Sequence, residues 1–223
     1  MNDYQKFLLD IYREFGDNAQ KALDFVHKNM VENNSIPMQE ESTEAIAVDL
    51  GLPSGTLWAD RNIGAKSPED VGLYFSWGNT DGHIFGTDYN FNEEIYAKTE
   101  GAKLDGDIDL EHDAAHVNMG GSWRMPTEDD FIELDEYCTH ELCSLNGYRG
   151  IKFTSKKNGN SLFFACSGSG NGSSWYYRGS FGFYWSASFY SARNARGLYF
   201  SSGGVSPQDS SNRYYGFAVR AVQ

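Results

Sequence analysis

Residues 181–222 read FGFYWSASFYSARNARGLYFSSGGVSPQDSSNRYYGFAVRAV, and the architecture of the chain follows from them. Three strand-like runs stand in this stretch, at 182–188, 197–201 and 215–222. In the second run Leu198 and Phe200 fall on one face, and Tyr199 and Ser201 fall on the other. In the third, Phe217, Val219 and Ala221 share a face. Such period-two alternation marks strands with one side buried. Between the runs lie residues 189–196 and 202–214, rich in Ser, Tyr, Asn, Gly and Arg and predicted to be loops. These are the residue types of antibody combining loops, where Tyr gives rigid contact area and Ser, Asn and Gly give adaptable hydrogen bonding. A buried apolar lattice carrying a polar-aromatic display surface points to recognition rather than catalysis.

Working outward from that stretch, the 223 residues suffice for one large domain with an appendage or for two small domains. No run of eighteen apolar residues occurs, which predicts no membrane insertion. The N-terminus, MNDYQKFLLDIYREFGDN, carries acids early and lacks the basic start and apolar core of a secretory signal. Synthesis in a cytoplasm is the expectation. The net charge of -13 is unevenly placed. Residues 1–148 hold 30 of the 31 acids and nine basic residues, whereas 149–223 hold nine basic residues and Asp209 alone as an acid. The global acidity argues against nucleic acid, which needs a basic footprint. The basic C-terminal part either favours anionic or sugar-rich partners or is attracted to the acidic part within one fold. Cys138, Cys143 and Cys166 are odd in number, contain no C-x-x-C, and are expected to be three buried thiols.

Residues 3–14 predict a helix, because Tyr4, Leu8, Ile11 and Phe15 line one stripe. A second helix is predicted from Asp17 to about Met30, followed by a polar linker over 32–44. This short helical appendage, residues 1–44, either docks on the main domain or serves self-association, so a homo-oligomer is an open expectation. The domain, residues 45–223, opens with strands predicted over 45–50, 56–59 and 73–77, and a helical turn at 67–70. Residues 78–118 read as mostly irregular. The strongest helix of the domain spans 127–138, with Pro126 and Thr127 at its start and Phe131, Leu134 and Cys138 on its buried face. Two more strands, 151–154 and 161–165, flank the hairpin signal Asn158-Gly159.

Catalytic and metal motifs are weak. His112 and His116 stand four apart, yet Asp113 occupies the place where the zinc-protease motif needs Glu, and no third ligand follows. Asp105, Asp107, Asp109 and Glu111 alternate and would point to one side of an extended backbone, but the sixth-position Gly and twelfth-position Glu of a calcium loop are missing. The expectation is an acidic solvated loop, no metal, no cofactor and no enzyme.

Five ordered phrases sharpen the fold: VDLGLPSGTLWA (48–59), GLYFSWG (72–78), GGSWRMPTEDDFIEL (120–134), YWSAS (184–188) and RYYGFAVRAV (213–222). Together they resemble the C-type-lectin-fold domains common in Bacteroides-type gut bacteria and their phages. That group includes the Fibrobacter-type paralogous domains and the variable proteins of diversity-generating retroelements. WRMPTEDDF also resembles the WRLPTEAEW phrase of formylglycine-generating-enzyme-like domains, whose reactive cysteine pair near the C-terminal end has no counterpart after Cys166. The resemblance implies an α+β domain of C-type lectin fold whose C-terminal sheet is a scaffold for exposed ligand-binding positions. It implies a fixed frame of Trp185, Ala195, Leu198, Phe200, Val205, Gly216, Phe217, Val219 and Arg220. The displayed positions it implies are Phe189, Tyr190, Ser191, Arg193, Asn194, Arg196, Tyr199, Ser201, Ser206, Gln208, Asp209, Ser210, Ser211, Asn212, Tyr214 and Tyr215. In the retroelement proteins such positions are rewritten by adenine-directed mutagenesis. A diversified receptor-binding protein of a phage or prophage, virion-associated and directed at a protein or glycan on a bacterial surface, is the function implied. A Fibrobacter-type domain with a fixed adhesive or structural role is the alternative.

Overall fold

The computed structural model describes residues 44–99 and 106–223. The two helices and linker expected over 1–44 lie outside the described residues, except for Glu44. Glu44–Gln223 is one compact unit. It is mixed α+β and mostly sheet. Its elements run β1 (Ala47–Asp49), β2 (Leu57–Ala59), β3 (Leu73–Phe75), β4 (His83–Ile84), α1 (Ile95–Lys98), α2 (Ala114–Met119) and α3 (Glu128–Tyr137). There follow β5 (Cys138–Leu145), β6 (Tyr148–Ser155), β7 (Ser161–Ala165), β8 (Ser169–Asn171) and β9 (Ser174–Tyr176). The C-terminal stretch supplies β10 (Gly182–Phe189), β11 (Asn194–Ser201), β12 (Gly204–Asn212) and β13 (Phe217–Ala218).

A six-stranded sheet, ordered β12-β11-β10-β13-β3-β4, dominates the unit. All its pairings are antiparallel except β10 with β13. Of the three runs predicted in the C-terminal stretch, the first two are strands and the third contributes only Phe217–Ala218 to this sheet. Beyond it the chain stays extended and bonds elsewhere: Ile63 N donates to Val219 O, and Ala59 N to Ala221 O. Leu57 and Gln223 then exchange N–H···O bonds of 2.9 Å, which ties the end of the unit to its beginning.

The largest correction concerns 202–214, expected to be a loop. Nine of its residues form β12, and Asn194–Arg196 extend β11 to meet it. The signal was hidden because β12 is the sheet edge. A Ser/Asn/Asp strand with Pro207 is tolerated there, where the outer backbone groups meet water rather than a neighbour. A register shift between Gly197 and Tyr199 gives β12 one extra residue, which blurs its alternation further. The polar strand β5 was missed for the same reason: it is the outer member of the sheet β5-β6-β7 and is exposed along most of its length. One consequence is that Cys143, on β5, is only half-buried, unlike Cys138 and Cys166; all three thiols are free. Residues 67–70 form a turn rather than a helix, closed by Asp70 N to Ser67 O. The region expected to be irregular, 78–118, holds β4, α1 and α2.

Helix α3 forms where its capping residues predict. Thr127 Oγ1 accepts from Asp130 N at 3.1 Å, and Asp130 Oδ2 accepts from Thr127 N at 2.8 Å, a reciprocal capping box. Phe131 and Leu134 are wholly buried beneath it. They meet Tyr184, Leu198, Phe200 and Ala218 from one face of the large sheet, together with Trp58, Phe153 and Phe164. Trp185, Ala187, Ala195, Phe217 and Val219 project from the other face, against Trp77, Ile108, Ala114, Ala115 and Met125. The sheet is thus packed on both sides, and alternation along β10 and β11 assigns each side chain to one of them.

Candidate functional site

Cross-strand partners point to the same side of a sheet, so register sorts the displayed positions. Phe200 opposes Gly182 and Val205, and Leu198 opposes Tyr184; these face α3. Tyr199 opposes Phe183 on one flank and Ser206 on the other, and belongs to the opposite face. Gly197 opposes Asp209 and Ala195 opposes Ser211, so Asp209 and Ser211 share the face of Tyr199. Gly197 is needed there, because a Cβ would lie 2.5 Å from Tyr184 O on the neighbouring strand. Tyr199, Ser206, Asp209 and Ser211 are all half-buried, which leaves them open to solvent over a wall of fixed side chains.

Aromatic rings continue this face in both directions. Tyr199 lies 5.3 Å from the Phe183 ring and 5.8 Å from Phe181, and Tyr177 lies 4.8 Å from Phe181. On the other flank Phe183 stacks on Phe217 at 5.0 Å, followed by Tyr215 at 6.1 Å, Tyr214 at 4.7 Å and Tyr96 at 6.1 Å. Rigid rings of this kind supply contact area at low entropic cost. Tyr177 holds φ at +61°, an uncommon conformation for a bulky residue, and is 55% exposed. The turn around it packs onto Gly168, where a Cβ would meet Tyr176 O at 2.3 Å and Arg178 N at 2.5 Å.

Apart from Arg193 at its far end, the remaining displayed positions do not join this surface. Register and alternation place Asn194, Arg196, Ser210 and Asn212 on the α3 side. There Arg196 Nε lies 3.3 Å from Glu128 Oε1, Gln208 Nε2 donates to the same oxygen at 3.0 Å, and the Arg196 guanidinium covers the Tyr190 ring at 4.0 Å. This is a ledge of its own, locked to the start of α3. Phe189 packs against the core beside Trp77, with ring centroids 6.4 Å apart. Ser191 accepts from Asn194 N and closes the β10–β11 turn. Ser201 is a correction: it is buried, and its hydroxyl accepts from Gly203 N at 3.1 Å, which shapes the β11–β12 turn. Arg193 is well exposed and pairs with Glu93 at 3.3 Å, next to Tyr96, whose hydroxyl donates to Arg193 O.

Several contributors were not selected from the sequence. Phe183 was legible, since it alternates with Tyr184 on a strand already recognised. Phe181, two residues before it, follows the same alternation, whereas Tyr177, Tyr96 and Glu93 gave no signal, because they come from turns and a short helix brought in by tertiary contacts. Arg213 carries no signal in the sequence either, yet it is 2% exposed and lies against Trp77 and Tyr96 at this end of the surface.

The weaker chemical motifs resolve into structural contacts. His112 precedes α2 rather than lying on it, and its Nδ1 sits 2.7 Å from Asp109 Oδ1, while His116 Nδ1 lies 3.3 Å from Trp123 O. The two rings therefore do not share a helix face. Asp113 between them caps α2, accepting from Ala115 N, His116 N and Met125 N. Burial raises its carboxyl above the usual range, against those three donors. Asp107 is drawn to Ser188 Oγ at 2.6 Å, so the expected row of carboxylates is broken; Asp105 lies outside the described residues. Among the described residues one group of metal-type ligands converges, Asp109, Glu111 and His112, with ligand atoms within 4.8 Å of one another.

No family model, no curated protein and no solved structure matches this chain. Among the described residues no helix is long and apolar enough to cross a membrane.

Proposed function

We propose that this chain is a ligand-binding protein and that the face of Tyr199, Ser206, Asp209 and Ser211, flanked by Phe183 and the Tyr214–Tyr215 pair, is its combining surface. One observation carries the reading. Strand β11 sends Leu198 and Phe200 into the core and Tyr199, between them, onto a half-open face of rings and small polar groups. Display positions that alternate with a fixed frame can change without disturbing the fold. The α+β unit, with its terminal sheet as scaffold, supports the finer proposal of a C-type lectin fold and of the retroelement variable type. On that reading the target is a protein or glycan on a bacterial surface, and the protein is phage- or prophage-encoded and virion-associated. The locking of Arg196 and Gln208 onto Glu128 favours the alternative for the ledge, a fixed adhesive surface, since replacing either breaks an internal contact.

Fluorescently labelled full-length protein applied to intact cells of a panel of gut bacteria tests the proposal. Binding to at least one strain is expected, with a loss of tenfold or more in Tyr199→Ala/Ser206→Ala/Asp209→Ala if that variant melts near the parent. Equal binding by the variant, or no binding across the panel, would overturn it. The flanking DNA tests diversification separately: a near-identical repeat differing at adenines, beside a reverse transcriptase gene, is the expected finding.

A further inference from the structure

Among the described residues of the combining region, Arg213 is a buried cation whose charge meets aromatic rings but no carboxylate. Its backbone is held on both sides, with Arg213 N donating to Arg193 O and Arg213 O accepting from Trp77 N, each at 2.8 Å. Its guanidinium carbon lies 5.3 Å from the Trp77 ring centroid and 5.2 Å from that of Tyr96. Yet Nε and Nη1 are both buried and have no hydrogen-bond partner. No carboxylate of the described residues forms an ion pair with it; the nearby Glu93 is committed to Arg193. Buried cations are ordinarily paired, and leaving donors unmet inside a protein is costly. Burial also weakens the hold of this guanidinium on its proton, with the neighbouring Tyr96 opposing the shift.

We infer that Arg213 is the seat for a carboxylate presented by an acidic side chain of a protein partner. The inference deepens the combining-surface reading and rests on it for the location. Three features favour a carboxylate. The donors are those of a guanidinium, whose fork matches carboxylate geometry. The segment that carries it, 149–223, holds nine basic residues against Asp209, and its Lys152, Arg193 and Arg196 each pair with a carboxylate from earlier in the chain, the partner Arg213 lacks. The rings of Tyr96 and Trp77 flank the buried guanidinium, and a charge pair formed away from water is strengthened. A peptide source is favoured because buried Arg flanked by Tyr and Trp is the composition of hot spots in protein–protein interfaces. Nε and Nη1 are both covered in the free protein, so seating the carboxylate requires a local rearrangement around the guanidinium.

The test uses the full-length protein and the Arg213 Nε–H resonance, titrated with a blocked glutamyl peptide against sodium chloride at matched ionic strength. A saturable shift with the peptide and none with chloride is expected. Arg213→Met should melt a few degrees higher than the parent, because an unpaired buried charge is replaced by an apolar side chain of similar length. It should also lose the peptide-dependent rise in melting temperature. A silent resonance, or a lower melting temperature for Arg213→Met, would overturn the inference. A stronger response to glucuronate than to the peptide would overturn the peptide source. If the titration is silent while Tyr199→Ala still abolishes cell binding, the seat fails and the combining surface stands; the reverse result separates them the other way.

Discussion

Two arginines seven positions apart, Arg220 and Arg213, sit in regions built to opposite ends. Arg220 is fully buried and every nitrogen is used: Nε donates to Asn62 Oδ1 at 2.8 Å, Nη1 to Ala59 O and Asp60 O, and Nη2 to Phe163 O at 2.9 Å. Its guanidinium also covers the Phe164 ring at 4.5 Å. It joins the loop after β2, strand β7 and the C-terminal tail. Arg213 has the same burial and two nitrogens with nothing to bond. The contrast teaches that burial alone does not separate frame from surface. Satisfaction separates these two arginines: every Arg220 nitrogen is met by the fold, whereas Arg213 leaves Nε and Nη1 unmet, as Trp58 leaves its Nε1 in the core.

Removing the satisfied arginine should have the largest effect. Arg220→Ala strands four buried acceptors and opens a cavity, so a loss of about 5 kcal/mol or failure to fold is expected in chemical denaturation. Arg220→Lys should recover little, since an ammonium cannot span the same acceptors. A near-normal Arg220→Ala would remove the distinction. Next in size, Phe200→Ala and Leu198→Ala should each cost roughly 2–5 kcal/mol, because both side chains lie within the α3-side core.

A smaller effect sharpens the frame side through pH. Burial alone would raise the Asp130 carboxyl, but Arg124 Nη1 at 2.6 Å and the donors of Thr127 outweigh it and leave the pKa lowered. A carboxylate with a lowered folded pKa adds stability above its unfolded value near 4 and loses it as pH falls through the folded value. Asp130→Asn should therefore be less stable than the parent at pH 7, by roughly 1 kcal/mol for a weakened cap, with the gap closing in acid melts. A gap that persists at low pH would mean the charge is not what Asp130 contributes.

What the sequence revealed depended on whether an element is buried. Leu198 and Phe200 advertise their face because both point into one core, and Thr127 and Asp130 advertise the start of α3 because capping chemistry is local. Strands β5 and β12 gave no such signal; an edge strand with polar side chains on both faces reads as a loop. The split of the displayed positions was illegible for a related reason. Whether Arg196 or Tyr199 faces α3 follows from alternation, but the bulges in β10 and β12 reset it for Phe189 and Gln208. Ser201 lies in phase with Tyr199, yet the turn draws it inward. Tyr96 comes from α1, about a hundred residues upstream, and only the folded chain brings it beside Tyr214.

The smallest effects are expected on the open face, where Ser206→Asn and Ser211→Asn should each move stability by about 0.5 kcal/mol or less. That null is informative only beside a binding signal, so the most direct measurement reads both from one library. All substitutions across residues 183–215, displayed on cells, would be sorted once for resistance to protease and once for binding to the bacterial strain recognised by the parent. Opposite footprints are expected: Leu198 and Phe200 intolerant in the protease sort, and Tyr199, Ser206, Asp209 and Ser211 tolerant there but depleted in the binding sort. A single footprint, with Tyr199 and its neighbours as intolerant to protease as Leu198 and Phe200, would make the open face part of the core and remove the combining surface.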